Sequence, residues 1–380
     1  MMRRWFLWSA LAVGLLALAA CAAEEKATPA PAASPGGAKA AWEQEWGRVV
    51  EAAKKEGTVT VVGPEGDEMR KALSKPMKEK YGITVELLGG SGSALASRIK
   101  AERDAGQYLW DVNLGGTTTP LERFKPIGAV EPLEPALILP EVKEGKGWLG
   151  GNLFWLDKER MVLAMSSYST EAFAINSGLV KAADFKSYKD LLDPKWKGKI
   201  AVARDPRVSG GGQAKFHFFY VHPELGPDFI RALARQDLAL LRDDRQAADW
   251  LAQGRYPLML GASKEVVTPM MKAGAPIEWV GPDRMKEGGS THVGSGAVAL
   301  FNRAPHPNAA KVFINWVLSK EGQTEFSLAS GLASRRLDVP KDHIDAWSLP
   351  KESYIPLDGE DRVKERATVV VALIKEVFGE

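Results

Sequence analysis

The stretch ITVELLGGSGSALASRIKAE, residues 83–102, decides how the fold of this 380-residue chain is interpreted. Its first six residues are apolar or β-branched for the most part, which is typical of a buried strand. A loop rich in glycine and serine follows, and a helix is predicted from about Ala94 to Ala105. The stretch is therefore a strand, a loop and a helix in succession.

The same alternation continues on both sides of this stretch. A predicted helix begins near Trp42 and ends at Gly57, and strands are predicted over 58–62 and 110–114. A second series follows residue 180, with strands over 200–203, 256–260 and 277–280 and a last strand and helix within 294–323. Alternating strands and helices favour an α/β fold with largely parallel sheets.

The N-terminus has the features of an exported protein. Residues 1–20 have the layout of a secretory signal peptide, with Arg3 and Arg4 ahead of an apolar run that ends at small residues. The residues LAAC resemble the lipobox of bacterial lipoproteins, which implies a lipidated Cys21; a buried Cys21 in an uncleaved signal is the alternative. Residues 21–41 are predicted to form a flexible linker. We therefore expect an extracytoplasmic protein, lipid-anchored to the cell membrane on its periplasmic or outer face.

The charge of the remaining chain argues against one class of partner. Removing Arg3 and Arg4 from the 50 basic residues leaves 48 against 48 acidic residues, so the net charge is close to zero. Nucleic-acid-binding domains are usually strongly basic, so the composition does not support such a partner. About 340 residues follow the linker, which is enough for two domains.

Four stretches together resemble one known family. They are VVEAAKKEGTVTVV, AINSGLV, SYKDLLDPKWKGKI and APHPNAAKVFINWVLSKEGQ, spread from about residue 46 to residue 330. They are similar to the extracellular solute-binding proteins of bacterial ABC importers, in the branch that includes binders of ferric iron, thiamine, polyamines and phosphonates.

The resemblance implies a type II periplasmic-binding-protein fold. Two α/β lobes, each a mostly parallel sheet flanked by helices, would be joined by two hinge strands and would hold the ligand in the cleft between them. Residues 42–165 and about 293–340 would form lobe 1, and residues 166–292 would form lobe 2, to which 341–380 can be added. The family also implies a monomer without catalytic activity that delivers a small molecule to an ABC permease.

The loop of the opening stretch offers the first candidate binding residues. Ser91, Gly92 and Ser93 stand just before a predicted helix, where free N–H groups and the helix dipole attract anions. A plain N-cap and turn is the structural alternative. GGSGS nearly fits the serine-hydrolase motif G-x-S-x-G, but Ser93 replaces its last glycine, so a secreted serine hydrolase is only a second alternative.

Further candidates follow other predicted strands. GGTTTP carries two threonines after the third strand, and ARDPRVSGGGQAK offers a donor-rich loop with arginines on the second lobe, where an arginine can contact an oxyanion bidentately. Ordinary turns and solvated arginines are the alternatives. The predicted ligand-binding residues are Ser91, Gly92, Ser93, Thr117, Thr118, Ser167, Tyr168, Arg204, Arg207, Ser209, Gly210 and Ser263.

Metal binding is the main alternative within the family. Its ferric-iron members use two adjacent tyrosines after the strand that corresponds here to YPLML, whereas this chain continues with Gly261, Ala262, Ser263 and Lys264. Ferric iron prefers hard oxygen donors such as phenolates. We therefore predict a small anionic or oxyanion-bearing solute, with no metal or cofactor, and keep a ferric-iron or metal-chelate protein as the alternative.

Overall fold

The computed structural model of the chain describes residues 36–64, 66–90 and 92–379. The chain divides after Ala41, and the unit that begins at Trp42 is the one described below. The predicted signal peptide and Cys21 lie outside the described residues. Within the described part of the chain, no helix is both long and apolar enough to cross a membrane.

The described residues contain twelve α-helices and sixteen strands. The helices are α1 Gly36–Glu56, α2 Asp67–Tyr81, α3 Gly92–Asp104, α4 Pro140–Lys143, α5 Gly210–Val221, α6 Gly226–Ala234, α7 Asp244–Ala252, α8 Lys264–Lys272, α9 Pro307–Leu318, α10 Lys320–Ser330, α11 Glu360–Glu365 and α12 Val371–Phe378. The strands are β1 Thr58–Gly63, β2 Thr84–Gly89, β3 Val112–Gly115, β4 Val130–Glu131, β5 Phe154–Trp155, β6 Val162–Ala164, β7 Ser166–Ser169, β8 Phe173–Asn176, β9 Ile200–Val202, β10 Ala239–Leu240, β11 Leu258–Leu260, β12 Ile277–Val280, β13 Ser290–His292, β14 Ala297–Phe301, β15 Ala333–Ser334 and β16 Ile355–Pro356.

The first helix begins earlier than the sequence suggested. We expected a flexible linker as far as residue 41, whereas α1 already includes the segment Gly36 to Ala41. The residues AKAA at this point have high intrinsic helix propensity, which accounts for the longer helix.

Lobe 1 is built on a seven-stranded sheet in the order β2-β1-β3-β14-β6-β5, with β4 paired to β14. Strands β1, β2 and β3 run parallel, so that Val61 lies between Leu87 and Val112. These strands bury β-branched and leucine side chains against α2 and α9, and the aromatic rings of Phe313 and Trp316 are fully buried in this core. The opening stretch of the sequence therefore supplies β2 and α3 of this lobe.

Lobe 2 is built on a five-stranded sheet in the order β10-β9-β11-β8-β12. Its core is rich in aromatic side chains because α5 packs three of them, Phe216, Phe218 and Phe219, against the sheet. Tyr188 contacts the last two of these rings with centroid distances of 5.4 and 5.3 Å. This lobe therefore has a hydrophobic core of its own.

A third, small sheet joins the lobes. Strands β7 and β13 lead from one lobe to the other and pair antiparallel, with Thr291 opposite Ser169 and His292 opposite Tyr168. Short strands β15 and β16 flank them, giving the order β15-β7-β13-β16. These are the two hinge strands that the family resemblance implied.

Most strands of each lobe sheet run in one direction, as expected, but both sheets also contain antiparallel pairs. In lobe 1, β14 runs antiparallel to β3, β4 and β6. In lobe 2, β8 runs antiparallel to β11 and β12. The reason is the double crossing of the chain: β8 enters lobe 2 from the hinge and β14 returns to lobe 1, and each runs antiparallel to the strands on both of its sides. At the edge of the lobe 1 sheet, β5 is also antiparallel to its neighbour β6.

Candidate functional site

Three parallel strands of lobe 1 end side by side around a small cavity. Because parallel strands present their carboxyl ends at the same edge of a sheet, the loops after β1, β2 and β3 meet there. The cavity has a volume of about 150 Å³, and we call it the cradle. It is lined by Val62, Gly63, Pro64, Gly90, Gly92, Leu95, Asn113, Leu114, Gly115, Gly116, Thr119 and Ser295.

Among the described residues, the cradle lining contains hydrogen-bond donors and no charged side chain. Gly92 begins α3, and no acidic residue of its first turn offsets the partial positive charge of this helix end. A Cβ atom on Gly92 would collide with Thr119 Oγ1, so glycine is required for this close approach. Together these features give an electropositive recess suited to an anionic group.

Asn113 carries the most informative side chain of the cradle. It lies on β3, only 4% of its surface is exposed, and its Nδ2 atom has no hydrogen-bond partner among the described residues. A buried donor without a partner costs about 1–3 kcal/mol, and buried polar groups are nearly always bonded. The amide is therefore a donor that a bound acceptor can satisfy.

A wider cleft of about 860 Å³ adjoins the cradle, with which it shares Pro64 and Ser295. Lobe 1 contributes the start of α2 and the segment after α10, lobe 2 contributes the first half of α8, and the hinge contributes Tyr168. The charged residues in its lining are Asp67, Glu68, Lys264 and Glu265. The cleft is thus formed by both lobes and the hinge.

The lobe 2 wall of the cleft is negatively charged. Glu265 lies in the first turn of α8 and accepts a hydrogen bond of 2.8 Å from Ser263 Oγ. The ammonium of Lys264 is engaged by Asp345 at 2.6 Å. Burial, together with the nearby carboxylates of Asp358, Glu171 and Glu265, raises the pKa of Tyr168 to about 12. This wall therefore differs in charge from the cradle.

A polar cluster in the hinge lies behind Tyr168. The rings of Tyr168 and His292 are 5.7 Å apart, and a ring nitrogen of His292 lies 3.1 Å from Ser290 Oγ. Asp358 accepts a hydrogen bond of 2.8 Å from the Val293 backbone N–H and one of 3.3 Å from Thr117 Oγ1. Burial lowers the pKa of His292 to about 4.

Some of the candidate residues of lobe 1 and the hinge line the cavities, and others do not. Gly92 lines the cradle and Tyr168 lines the cleft, whereas Ser91 lies outside the described residues and only the backbone of Ser93 is described, within α3. Thr117 is turned to Asp358, and Thr119 takes the place in the cradle lining that we expected of Thr117 and Thr118. Ser167 Oγ is buried in the hinge without a partner among the described residues.

The lobe 2 candidates are held mainly by their own lobe. Arg204 binds both carboxylate oxygens of Asp244 through hydrogen bonds of 2.9–3.2 Å. Arg207 binds Asp205 in the same bidentate way. Ser209 and Gly210 stand at the start of α5, where the Ser209 side chain caps no backbone N–H. None of these four residues belongs to the lining of the cradle or the cleft, so their role in binding stays a prediction.

Sequence reasoning missed Asn113 and Glu265. Asn113 interrupts the apolar run of the strand WDVNL, and a polar residue inside a buried strand is the signal that could have identified it. Glu265 looks like an ordinary acidic residue in the first turn of a helix. Within the described residues, no group of three or more His, Cys, Asp or Glu side chains is placed to hold a metal ion.

Comparison with known proteins gives a consistent picture. The model of the family described as bacterial extracellular solute-binding protein matches residues 72–351. Iron uptake protein A1 of Synechocystis sp. is 26% identical over 262 residues, which is 64% of this chain and 66% of that protein. The matched region is thus about two thirds of that relative's length.

Solved structures share the fold at low sequence identity. The periplasmic binding protein AfuA from Actinobacillus pleuropneumoniae, with fructose-6-phosphate bound, is 21% identical with a TM-score of 0.56, over 84% of this chain and 99% of that one. The ferric iron-binding protein A of Mannheimia haemolytica in an open conformation is 16% identical with a TM-score of 0.67, over 85% and 99%.

Proposed function

This chain belongs to the bacterial extracellular solute-binding proteins, and we propose that its cradle and cleft bind a small solute through an oxyanion that the solute carries. The observation that carries the proposal is the buried Asn113 amide, whose Nδ2 has no partner among the described residues, in a recess that contains other donors. The oxygens of an oxyanion accept hydrogen bonds, so such a group can satisfy this amide beside the start of α3. The cradle volume of about 150 Å³ suits one such group, and the cleft leaves room for the rest of the solute.

The remaining steps need no chemical reaction. Binding energy gained from both lobes favours the closed form of the hinge. An ABC permease would then recognise the closed, loaded protein and import the solute. The lipid at Cys21 would hold the protein at the membrane surface. On closure, the lobe 2 loop would approach the solute; this loop contains Arg204, Arg207, Ser209 and Gly210. One of its arginines would then leave its carboxylate partner and bind the oxyanion of the solute.

Ferric iron is the second candidate function. It is favoured by the names of relatives, which include an iron uptake protein and a ferric iron-binding protein. Against it stand the serine and lysine that replace the expected tyrosine pair after β11 and the lack of a metal-holding cluster within the described residues. A ferric chelate could still bind through the carboxylates of its organic part.

A thermal-shift screen of the purified protein tests the proposal. The panel is inorganic phosphate, ethylphosphonate, acetate, citrate, ferric citrate and putrescine, because these separate oxyanion, metal and amine chemistry. We expect an oxyanion to raise the melting temperature by several degrees at saturating concentration. The N113L variant, which removes the amide donors at similar volume, should lose most of that rise.

Three outcomes would contradict the proposal. A shift with putrescine alone would show that the cleft selects cations. A shift with ferric citrate but not with citrate would favour the iron alternative. A flat response to the whole panel, together with labelling of Ser91 by a fluorophosphonate probe, would favour the serine hydrolase.

A further inference from the structure

The C-terminal residues 358–378 pack against both lobes, and we call this segment the strap. The segment starts beside Leu357, which is buried in the lobe 2 core. Val363, in α11, is only 1% exposed and packs in the core of lobe 1 with Leu156 and Phe301. Val370 and Ile374 are fully buried in the core of lobe 2. The strap therefore crosses from lobe 2 to lobe 1 and back.

Its attachment to lobe 1 is mainly polar. The Glu360 backbone N–H donates a 2.7 Å hydrogen bond to the carbonyl of Leu156, and its carboxylate accepts one of 2.7 Å from Lys125. Asp358 accepts hydrogen bonds from Val293 and Thr117, the first in the hinge and the second in lobe 1. Among the described residues of the strap, Val363 is the one that joins the apolar core of that lobe.

Its attachment to lobe 2 is mainly apolar. The ring of Phe378 contacts the ring of Phe216 at 5.4 Å, and Leu373 and Ile374 add to the same core. The polar contacts of this end are those of Glu365 with His217 at 2.8 Å, of Glu376 with Arg231 at 3.0 Å and of the Phe378 carbonyl with Arg207 at 3.4 Å. Burying several apolar side chains is worth about 1.5–3 kcal/mol each, so this end is the more firmly held.

The helix changes type between the two attachments. Residues Arg366–Val370 form a π-helical turn between α11 and α12, where Val371 N–H bonds to the carbonyl of Arg366. π-helical turns are rare and are places where helices bend. The strap thus has a weak point between its two ends.

We propose that the strap is a connection between the lobes additional to the two hinge strands and to the crossing of residues 335–357, and that its polar lobe 1 end restrains their relative movement. The two hinge strands alone permit the lobes to rotate about the hinge. A segment anchored in both cores resists such rotation unless it bends at the π-helical turn or releases Glu360 from Lys125. Water can replace the polar contacts of the strap with lobe 1, because the Glu360 side chain is 39% exposed. The inference rests on the two-lobed fold and does not depend on the nature of the solute.

Lys125 provides a matched pair of variants. Its ammonium binds Glu360 of the strap at 2.7 Å and Glu159 of lobe 1 itself at 2.6 Å. E360Q and E159Q each remove one carboxylate charge from the same lysine, but only E360Q loosens the strap. Both leave the buried Asp157 carboxylate with its lysine at 3.3 Å.

The experiment measures the distance between the lobes in the solute-free protein by double electron–electron resonance. Spin labels are attached at L328C in lobe 1 and L179C in lobe 2, which are 58% and 64% exposed, after replacement of the single native cysteine by C21S. We expect E360Q, and more so E360Q combined with D358N, to broaden the interlobe distance distribution. E159Q should leave the distribution as in the parent protein.

Two further measurements make the outcome decisive. Urea unfolding of each variant shows that the lobes are folded, and a folded E360Q/D358N protein with an unchanged distance distribution would overturn the proposal. Equal broadening in E360Q and E159Q would also overturn it, because the effect would then belong to Lys125 and not to the strap. High salt should broaden the parent distribution toward that of E360Q, since a partly exposed ion pair is screened.

Discussion

The first turns of α3 and α8 are two helix starts that face the same connected cavities with opposite charge. Both helices follow the carboxyl end of a strand, β2 in lobe 1 and β11 in lobe 2. The α3 start has no acidic residue and lines a recess of donors, whereas the α8 start carries Glu265, which also engages Ser263. An acidic residue in the first turn compensates the helix dipole. The same succession of strand, loop and helix thus gives one anion-attracting wall at the start of α3 and one anion-repelling wall at the start of α8.

The largest expected effect comes from placing a carboxylate beside the start of α3, as Glu265 lies at the start of α8. N113D places a carboxylate where the unpartnered amide lies, so an oxyanion loses a donor and meets a like charge. Loss of a hydrogen bond to a charged group costs about 1.5–3 kcal/mol, and repulsion adds to it. We expect affinity for the best oxyanion of the screen to fall at least about a hundredfold by isothermal titration calorimetry. An affinity within a few-fold of the parent would remove Asn113 from the site.

The free energy of unfolding should depend on pH through His292, which lies in the hinge. Burial lowers the pKa of His292 to about 4 from an unfolded value near 6.5, so between these values the unfolded chain binds more protons. The contribution of His292 to stability is therefore fully present above pH 6.5 and is lost as the pH drops toward 4, by about 3 kcal/mol across this window. Urea unfolding over this range measures the loss.

Two histidine variants show whether His292 causes this loss of unfolding free energy. H292Q should flatten the pH dependence of the unfolding free energy, whereas H343Q, at an exposed histidine, should leave its slope unchanged. If the two variants have the same slope as the parent, His292 does not titrate in this window.

The smallest expected effect comes from removing the negative charge of Glu265 at the start of α8. E265Q removes one negative charge from the cleft and keeps an acceptor for Ser263. We expect the affinity for inorganic phosphate to rise about two- to threefold at low salt, because a partly exposed charge acts weakly across solvent. The gain should vanish at high salt. D249N, in the same lobe but outside the cleft lining, should show no gain, and an equal gain there would point to a general charge effect.

Local patterns predicted the α3 wall better than the α8 wall. The loop and helix after β2 were visible as a glycine- and serine-rich break between an apolar run and a helical one, and Gly92 indeed lines the cradle. The strand WDVNL was predicted as well, but its asparagine was treated as part of a buried strand. A single polar residue in such a strand gives no local sign of whether it is bonded, because that depends on neighbours far along the chain.

Long-range partners explain the remaining differences. Arg204 is held by Asp244, forty residues further along the chain, and no spacing rule predicts such a pair. The mixed sheets arise because β14 returns to lobe 1 and pairs with β3 and β6, strands more than a hundred residues earlier. Asp358 likewise reaches the hinge from the C-terminal segment. Sequence periodicity identifies elements, whereas these contacts are fixed only when the elements pack.

The most direct test of the central claim observes the Asn113 amide itself. Protein with ¹⁵N-labelled asparagine side chains is titrated with the best oxyanion of the screen, and the Asn113 Nδ2 resonance is assigned by its absence in N113L. We expect this resonance to shift with oxyanion concentration along the same saturation curve as the rise in melting temperature, because the bound oxyanion accepts a hydrogen bond from the amide. A resonance that stays in place while the oxyanion stabilises the protein would contradict the claim and place the solute outside the cradle.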